Sequence, residues 1–329
     1  MVTSLDDWMR RFDEGSKRAA ARLISIVEDD RAEAFDVLDR LYARVGRAVR
    51  VGVTGPPGAG KSTLVDRFAE HLVASGESPG ILAVDPTSPF TGGALLGDRV
   101  RMGPVANDAR VFFRSVASRG SLGGLSLHAA EVADVLDAFG CTWILLETVG
   151  VGQSELDVAD KAHTTIVILV PESGDGIQAM KSGLMEIADV FVVNKADRPG
   201  AERLEEDIRA AMELKEWSGW RPPVVRTQAR DGVGVDAVLQ EVRAHRAWLD
   251  EHDQLVVKRR RAMQSRVRDL VQATLQHEVW SRPSIVERFG QGLAEIEAGT
   301  NSPYRLARSL VERARDELKQ ANEGSGRRG

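Results

Sequence analysis

One eight-residue segment constrains this chain more than any other feature. Gly55-Pro56-Pro57-Gly58-Ala59-Gly60-Lys61-Ser62 satisfies the pattern G-x-x-x-x-G-K-[ST] at every fixed position. The pattern needs a strand before it and a helix after it, and both flanks comply: 49–54 reads as a β-branched strand and 63–74 as a helix. Glycines let successive backbone N–H groups curl around phosphates at a helix N-terminus, where the helix dipole also favours negative charge. The segment therefore predicts a nucleoside triphosphate bound with Mg²⁺. Lys61 is expected at the β- and γ-phosphates and Ser62 on the metal, with Gly55, Pro57, Gly58, Ala59, Gly60 and Thr63 completing the cradle.

The rest of the chain agrees with such a loop. From 48 to about 250, short β-branched runs alternate with helical patterns, the signature of an α/β fold with a mainly parallel sheet flanked by helices. Seven candidate strands fall at 48–54, 80–85, 110–116, 142–147, 164–170, 189–194 and 223–228. Several are apolar throughout, as strands buried on both faces should be. Ligands of such sheets sit beyond the carboxyl ends of the strands, which is where functional residues are sought. Before this domain, 1–47 reads as two or three capping helices, with Leu5, Trp8, Met9 and Phe12 on one face and Phe35, Leu38, Leu41, Tyr42 and Val45 on another. After it, 251–322 reads as a helical arm in segments 253–279, 284–297 and 302–321, the last opened by Ser302 as cap and Pro303 at the first position. Residues 323–329 are small and charged and are expected to be disordered.

Composition removes several alternatives. A chain of 329 residues that is 43% hydrophobic and 28% charged has ample apolar content for a core. Its longest apolar run, near 166–170, is far short of a membrane span, and 1–14 carries acids where a secretory signal would be apolar, so a cytoplasmic protein without a membrane partner is expected. Cys141 is the sole cysteine and reads as a packing residue, and the six histidines show no metal-ligand spacing. A net charge of −5 gives no reason to expect nucleic acid; the one basic run, Lys258-Arg259-Arg260-Arg261, reads as the solvated face of a helix.

Specificity is written after other strands. Asn194-Lys195-Ala196-Asp197 follows the apolar strand 190–193 and matches N-K-x-D. An aspartate here can accept from the guanine N1–H and its exocyclic amine, a donor pair that adenine lacks, so Asp197 selects GTP over ATP. Thr227-Gln228-Ala229 falls where a second guanine-contacting loop is expected, with Ala229 its candidate contact. Glu147-Thr148-Val149-Gly150 follows the strand 143–146 in the position of a D-x-x-G element, with Glu for Asp. Glu147 is expected on Mg²⁺, and the Gly150 N–H at the γ-phosphate.

Asp85, which closes the strand 81–84, and Asp98, in the Gly-rich loop beyond it, are further candidates for the metal. Glu147 reaches the ion through a water in this reading, because Mg²⁺ gives up its hydration reluctantly.

Taken together, four strings resemble one family. They are the phosphate loop, the stretch 85–99 (DPTSPFTGGALLGDR), the stretch 147–155 (ETVGVGQSE) and Asn194-Lys195-Ala196-Asp197. The chain is similar, over nearly its whole length, to the MeaB/MMAA (ArgK) group of metallochaperone-type P-loop GTPases. That resemblance implies a homodimer joined through the C-terminal helices, serving as GTPase chaperone to an adenosylcobalamin-dependent acyl-CoA mutase. It would gate cofactor loading and the ejection of damaged cofactor. By the same resemblance Lys61, Asp98 and Glu147 are catalytic, Ser62, Asp85, Asp98 and Glu147 surround the metal, and Asn194, Lys195 and Asp197 hold guanine. Gln153, Gln178 and Lys181 are implied as switch residues coupled to the mutase. Methylmalonyl-CoA mutase is favoured among several mutases. Val151 stands where Ras-like enzymes carry a water-orienting Gln, so slow hydrolysis is expected without the partner. The alternative is a P-loop kinase or ATPase of the ArgK type, against which the N-K-A-D element argues.

Overall fold

The computed structural model describes residues 4–29, 33–86, 105, 108–118, 127–148, 154–171 and 183–325. Seven strands form one sheet: β1 (Val49–Thr54), β2 (Pro79–Pro86), β3 (Phe112–Ser118), β4 (Trp143–Thr148), β5 (Thr164–Leu169), β6 (Val190–Asn194) and β7 (Val224–Thr227). Their order is β3-β2-β4-β1-β5-β6-β7, and every neighbouring pair is parallel. All seven expected strands are present; β4, β5 and β6 are buried throughout, as strands of a parallel sheet covered on both sides should be, whereas the edge strand β7 is only partly buried. β1 lies in the middle of the sheet, so the phosphate loop leaves from its centre.

Alternation along the strands sorts side chains between two helical layers. On one face, Val51, Val53, Trp143, Leu145, Ile166 and Ile168 pack against Leu64, Phe68 and Leu72 of α4 (Lys61–Ala74) and Val235, Val238 and Val242 of α9 (Val235–Glu251). The other face, through Leu82, Val84, Ile144 and Leu146, packs against α5 (Leu127–Phe139) and the N-terminal helices α1 (Leu5–Asp13), α2 (Lys17–Glu28) and α3 (Glu33–Leu41). Burying each such side chain contributes about 1.5–3 kcal/mol. α6 (Ser154–Lys161) crosses β1 closely, and a Cβ on Gly52 would stand 3.0 Å from Val158 and 3.1 Å from Ala162. A third cluster joins Val167, Leu169, Phe191 and Val193 to α7 (Leu184–Ile187) and α8 (Ala201–Glu213).

Two sequence expectations need correction. In α3 the buried positions are Ala34, Val37 and Leu41, with Leu38 packed beside them, whereas Phe35 and Tyr42 are exposed. The packed stripe runs through 34, 37, 38 and 41, one helical position to the side of the larger apolar residues Phe35 and Tyr42, with the small Ala34 on that face. The basic run also divides. It lies in α10 (Gln254–Trp280), where Lys258 and Arg259 are half-buried and Arg260 and Arg261 exposed. Lys258 Nζ donates to the His163 carbonyl at 2.9 Å and to Asp189 at 3.2 Å, and Arg259 Nη2 to the Gly46 carbonyl at 2.7 Å.

The chain divides into two compact units, Met1–Ala262 and Met263–Gly329. In the second, α11 (Pro283–Glu297) and α12 (Pro303–Ser325) pack through Ile285, Leu306, Leu310 and Ala314. Gly292 permits this contact, since a Cβ there would meet Leu306 at 2.2 Å. Ser302 caps α12 as its sequence suggests, accepting from the Arg305 N–H at 3.3 Å with Pro303 at the first helical position. Among the described residues, no helix is long and apolar enough to cross a membrane.

Candidate nucleotide site

The phosphate loop turns on glycines in left-handed conformations that only glycine adopts easily. Gly55 has φ +140 and a Cβ there would lie 2.1 Å from the Ile168 carbonyl; Gly60 has φ +93 and a Cβ would meet Asn194 Nδ2 at 2.4 Å. Gly60 then opens α4, and Lys61 is its first residue. The Lys61 ammonium is buried and donates to the Gly55 carbonyl at 2.8 Å and the Pro56 carbonyl at 3.1 Å. Loop and cation are thus held together at the head of the helix, where phosphate oxygens are best received.

Glu147 reaches the same place by strand parity. It shares the orientation of Trp143 and Leu145, toward the α4 face, and pairs in register with Val53 of β1 and Ala83 of β2. Its carboxylate is buried and accepts a close hydrogen bond from the Ser62 hydroxyl. A hydroxyl and a carboxylate are the hard oxygen donors that Mg²⁺ accepts, and Mg²⁺ takes few protein ligands when phosphates supply the others. The donor set therefore fits that ion. Thr148, one residue on, points to the other side and donates to the Thr54 hydroxyl at 3.3 Å, joining the ends of β4 and β1.

Asn194 connects the base-reading loops to the phosphate loop. Its side chain is buried at the end of β6, and Nδ2 donates to the Ala59 carbonyl at 2.8 Å. Its Oδ1 accepts from the Thr227 hydroxyl and the Ala229 N–H, both at 3.0 Å. Lys195 follows with φ +56, turning the chain sharply, and the Ala196 N–H donates to the Thr227 carbonyl at 3.0 Å. Asp197 stands exposed on this turn. Ala229 is buried and its N–H is committed to Asn194.

The structure thus brings Gly55, Pro57, Gly58, Ala59, Gly60, Lys61, Ser62, Thr63, Glu147, Asn194, Lys195, Asp197 and Ala229 to the carboxyl end of the sheet. Asp85, next to last in β2, lies at the same carboxyl end of the sheet, in register with Ala117. Asp98, Gly150, Gln153, Gln178 and Lys181 lie outside the described residues. Sequence reasoning placed Thr227 in the second guanine loop without giving its hydroxyl a role, and missed the Thr54–Thr148 pair; their shared signal is a threonine at the last position of a strand.

Comparison with known proteins agrees with this geometry. The family described as methylmalonyl-CoA mutase-associated GTPase MeaB matches residues 20–284. The Escherichia coli GTPase ArgK is 32% identical over 319 residues, 94% of this chain and 96% of that protein. The mouse mitochondrial methylmalonic aciduria type A homolog is 32% identical over 317 residues, 91% of this chain and 76% of that protein. The solved structure of an LAO/AO transport system kinase superposes with a TM-score of 0.70 at 26% identity, covering 95% of this chain and 98% of its own. With four fifths of its length matched and the loop 55–62 tied through Asn194 to the loops after β6 and β7, the chain belongs to the MeaB family of methylmalonyl-CoA mutase-associated GTPases.

Proposed function

We propose that this chain binds GTP with Mg²⁺, hydrolyses it slowly alone, and acts as guanine-nucleotide chaperone to an adenosylcobalamin-dependent acyl-CoA mutase, with methylmalonyl-CoA mutase favoured. The observation that carries the reading is the buried Asn194, which ties the phosphate loop to both base-reading loops. The family match and the mouse relative's name support the choice of mutase.

In this reading Lys61 neutralises the β- and γ-phosphates while the N–H groups of 58–62 receive their oxygens. Ser62 and Glu147 would hold Mg²⁺, with Asp85 and Asp98 nearby; when bound, the ion offsets negative charge on the phosphates. Asp197 accepts from the guanine edge, and Asn194 holds that loop in place. Gln153, Gln178 and Lys181 belong to segments through which the mutase would order the site and speed hydrolysis. Residues 251–322 would join two copies.

Calorimetry with GTP and ATP, and hydrolysis measured with and without the mutase, test the proposal. Lys61→Ala should lose about 3 kcal/mol of GTP binding, on the order of 100-fold in affinity. Unchanged affinity in that variant, or equal turnover with and without the mutase, would overturn the reading. A kinase remains the second reading because the solved relative is named as one. Preference for ATP over GTP would favour it.

A further inference from the structure

Arg67 lies in the second turn of α4, outside every motif by which the sequence names nucleotide contacts. Its half-buried guanidinium is forked between two partners. Nη1 donates to Glu70 Oε2 at 2.8 Å, one turn along the same helix, and Nη2 donates to the Arg230 carbonyl at 3.0 Å. The carboxylate aims the group, and the carbonyl belongs to the loop that follows β7. Because α4 begins at Lys61, this bond runs from the phosphate loop's own helix to the second base-reading loop.

That loop is built as one piece. Gln228 and Val233 exchange both backbone hydrogen bonds, at 3.0 and 3.2 Å, and so close it at its neck. Inside, around a tight turn at Ala229–Asp231, the Asp231 N–H donates to the Gln228 carbonyl at 2.9 Å and the Gly232 N–H to the Ala229 carbonyl at 3.3 Å. Gly234, with φ +77, fixes the exit, since a Cβ there would stand 2.3 Å from the Arg226 carbonyl. A loop that satisfies its own backbone tilts on its neck as a unit, so bonds from other elements set its angle. Asn194 reaches it at the Ala229 N–H, and Arg67 reaches it at the Arg230 carbonyl. Two such points fix an orientation that one leaves free.

We propose that Arg67 is a positioning residue for guanine recognition: by holding the Arg230 carbonyl, it sets the angle at which loop 228–233 meets the base. The inference rests on the reading of 194–197 and 227–229 as the guanine site. Arg67 acts through the loop, and a charged donor on a carbonyl is stronger than a neutral one. Binding of the base and binding of the phosphates therefore separate at this residue. Phosphates are received by 55–62, whose bonds to Lys61 and Asn194 do not involve Arg67. Adenine lacks the 6-oxo acceptor that guanine offers to backbone N–H groups, so it gains less from a well-placed loop.

Displacement of a fluorescent GDP analogue from the full chain by GDP and by ADP, with Mg²⁺ present, tests it. Arg67→Met keeps the length of the stem and a good helix former while removing the donor. Its GDP affinity should fall about 3- to 10-fold, the range of one partly exposed hydrogen bond, and its ADP affinity should be unchanged. An unaltered ratio of GDP to ADP affinity overturns the proposal, as does an equal loss of both, which marks general damage to α4. If Arg67→Met fails to fold, Glu70→Ala carries the test. It leaves Arg67 in place without the carboxylate that aims it, and should cut the preference for GDP by about 2- to 4-fold; an unchanged preference there overturns the proposal. A wild type that does not prefer GDP to ADP removes the guanine reading and this inference with it, whereas a preference that Arg67→Met leaves intact removes this inference alone.

Discussion

Asn194 and Asp197 belong to one four-residue motif, yet their surroundings assign them different work. Asn194 is buried and serves three partners: the Ala59 carbonyl, the Thr227 hydroxyl and the Ala229 N–H. Asn194→Ala leaves all three without that partner, which should cost about 2–4 kcal/mol in urea unfolding of the protein without nucleotide. Asp197 is exposed, so Asp197→Ala should leave stability within about 0.5 kcal/mol. Its effect should fall on selectivity, cutting the preference for GTP over ATP by about 10- to 100-fold in competition binding, as loss of hydrogen bonds to a charged acceptor implies. A stable Asn194→Ala protein, or an Asp197→Ala protein that still discriminates, would refute this division. The motif in the sequence names both residues as nucleotide contacts; only the fold reveals that one of them is a strut.

At the scale of elements, what was legible followed from distance along the chain. Strands and the strand-loop-helix around Lys61 are local patterns, and all seven strands could be read from β-branched runs. Ties between remote residues could not. Arg50 meets Asp134 and Asp137, and Lys258 meets Asp189, across many intervening residues, and no local pattern announces such pairs. His245 of α9 is another case: buried, it bonds Thr164 Oγ1 at 2.9 Å, lies 3.4 Å from Asp189 and stacks among Trp220 and Trp248. Burial lowers its pKa to about 4 despite Asp189, with Lys258 adding to the shift. Its folded value is therefore below its unfolded value, near 6.5. As pH falls through that window the unfolded chain gains a proton that the native state refuses, so stability is full above about 6.5 and declines toward 4. The loss attributable to His245 is about 3 kcal/mol in full, below pH 4, and about 2 kcal/mol by pH 5. Urea midpoints at pH 7.5 and pH 5 should show it, and His245→Gln should flatten the slope, leaving the part due to His163, which is shifted in the same direction.

For the whole molecule, the unresolved demand is apolar surface in the second unit. Val267, Val271 and Leu275 of α10 recur every fourth residue, and each is 54% exposed. Val286, Phe289 and Leu293 of α11 are exposed as well, although α11 also buries Ile285 against α12. A helix stripe of this kind requires cover, and a second copy of the same arm is the cover proposed above. Replacing Val271 and Leu275 together with Asp should convert a dimer to a monomer by size exclusion with light scattering. The thermal midpoint should then cease to depend on protein concentration, because association no longer contributes to it. GTP affinity should be unchanged, since 55–62 and 194–197 belong to the first unit. A wild type of monomer mass, or a double variant of undiminished dimer mass, would remove these helices from the interface.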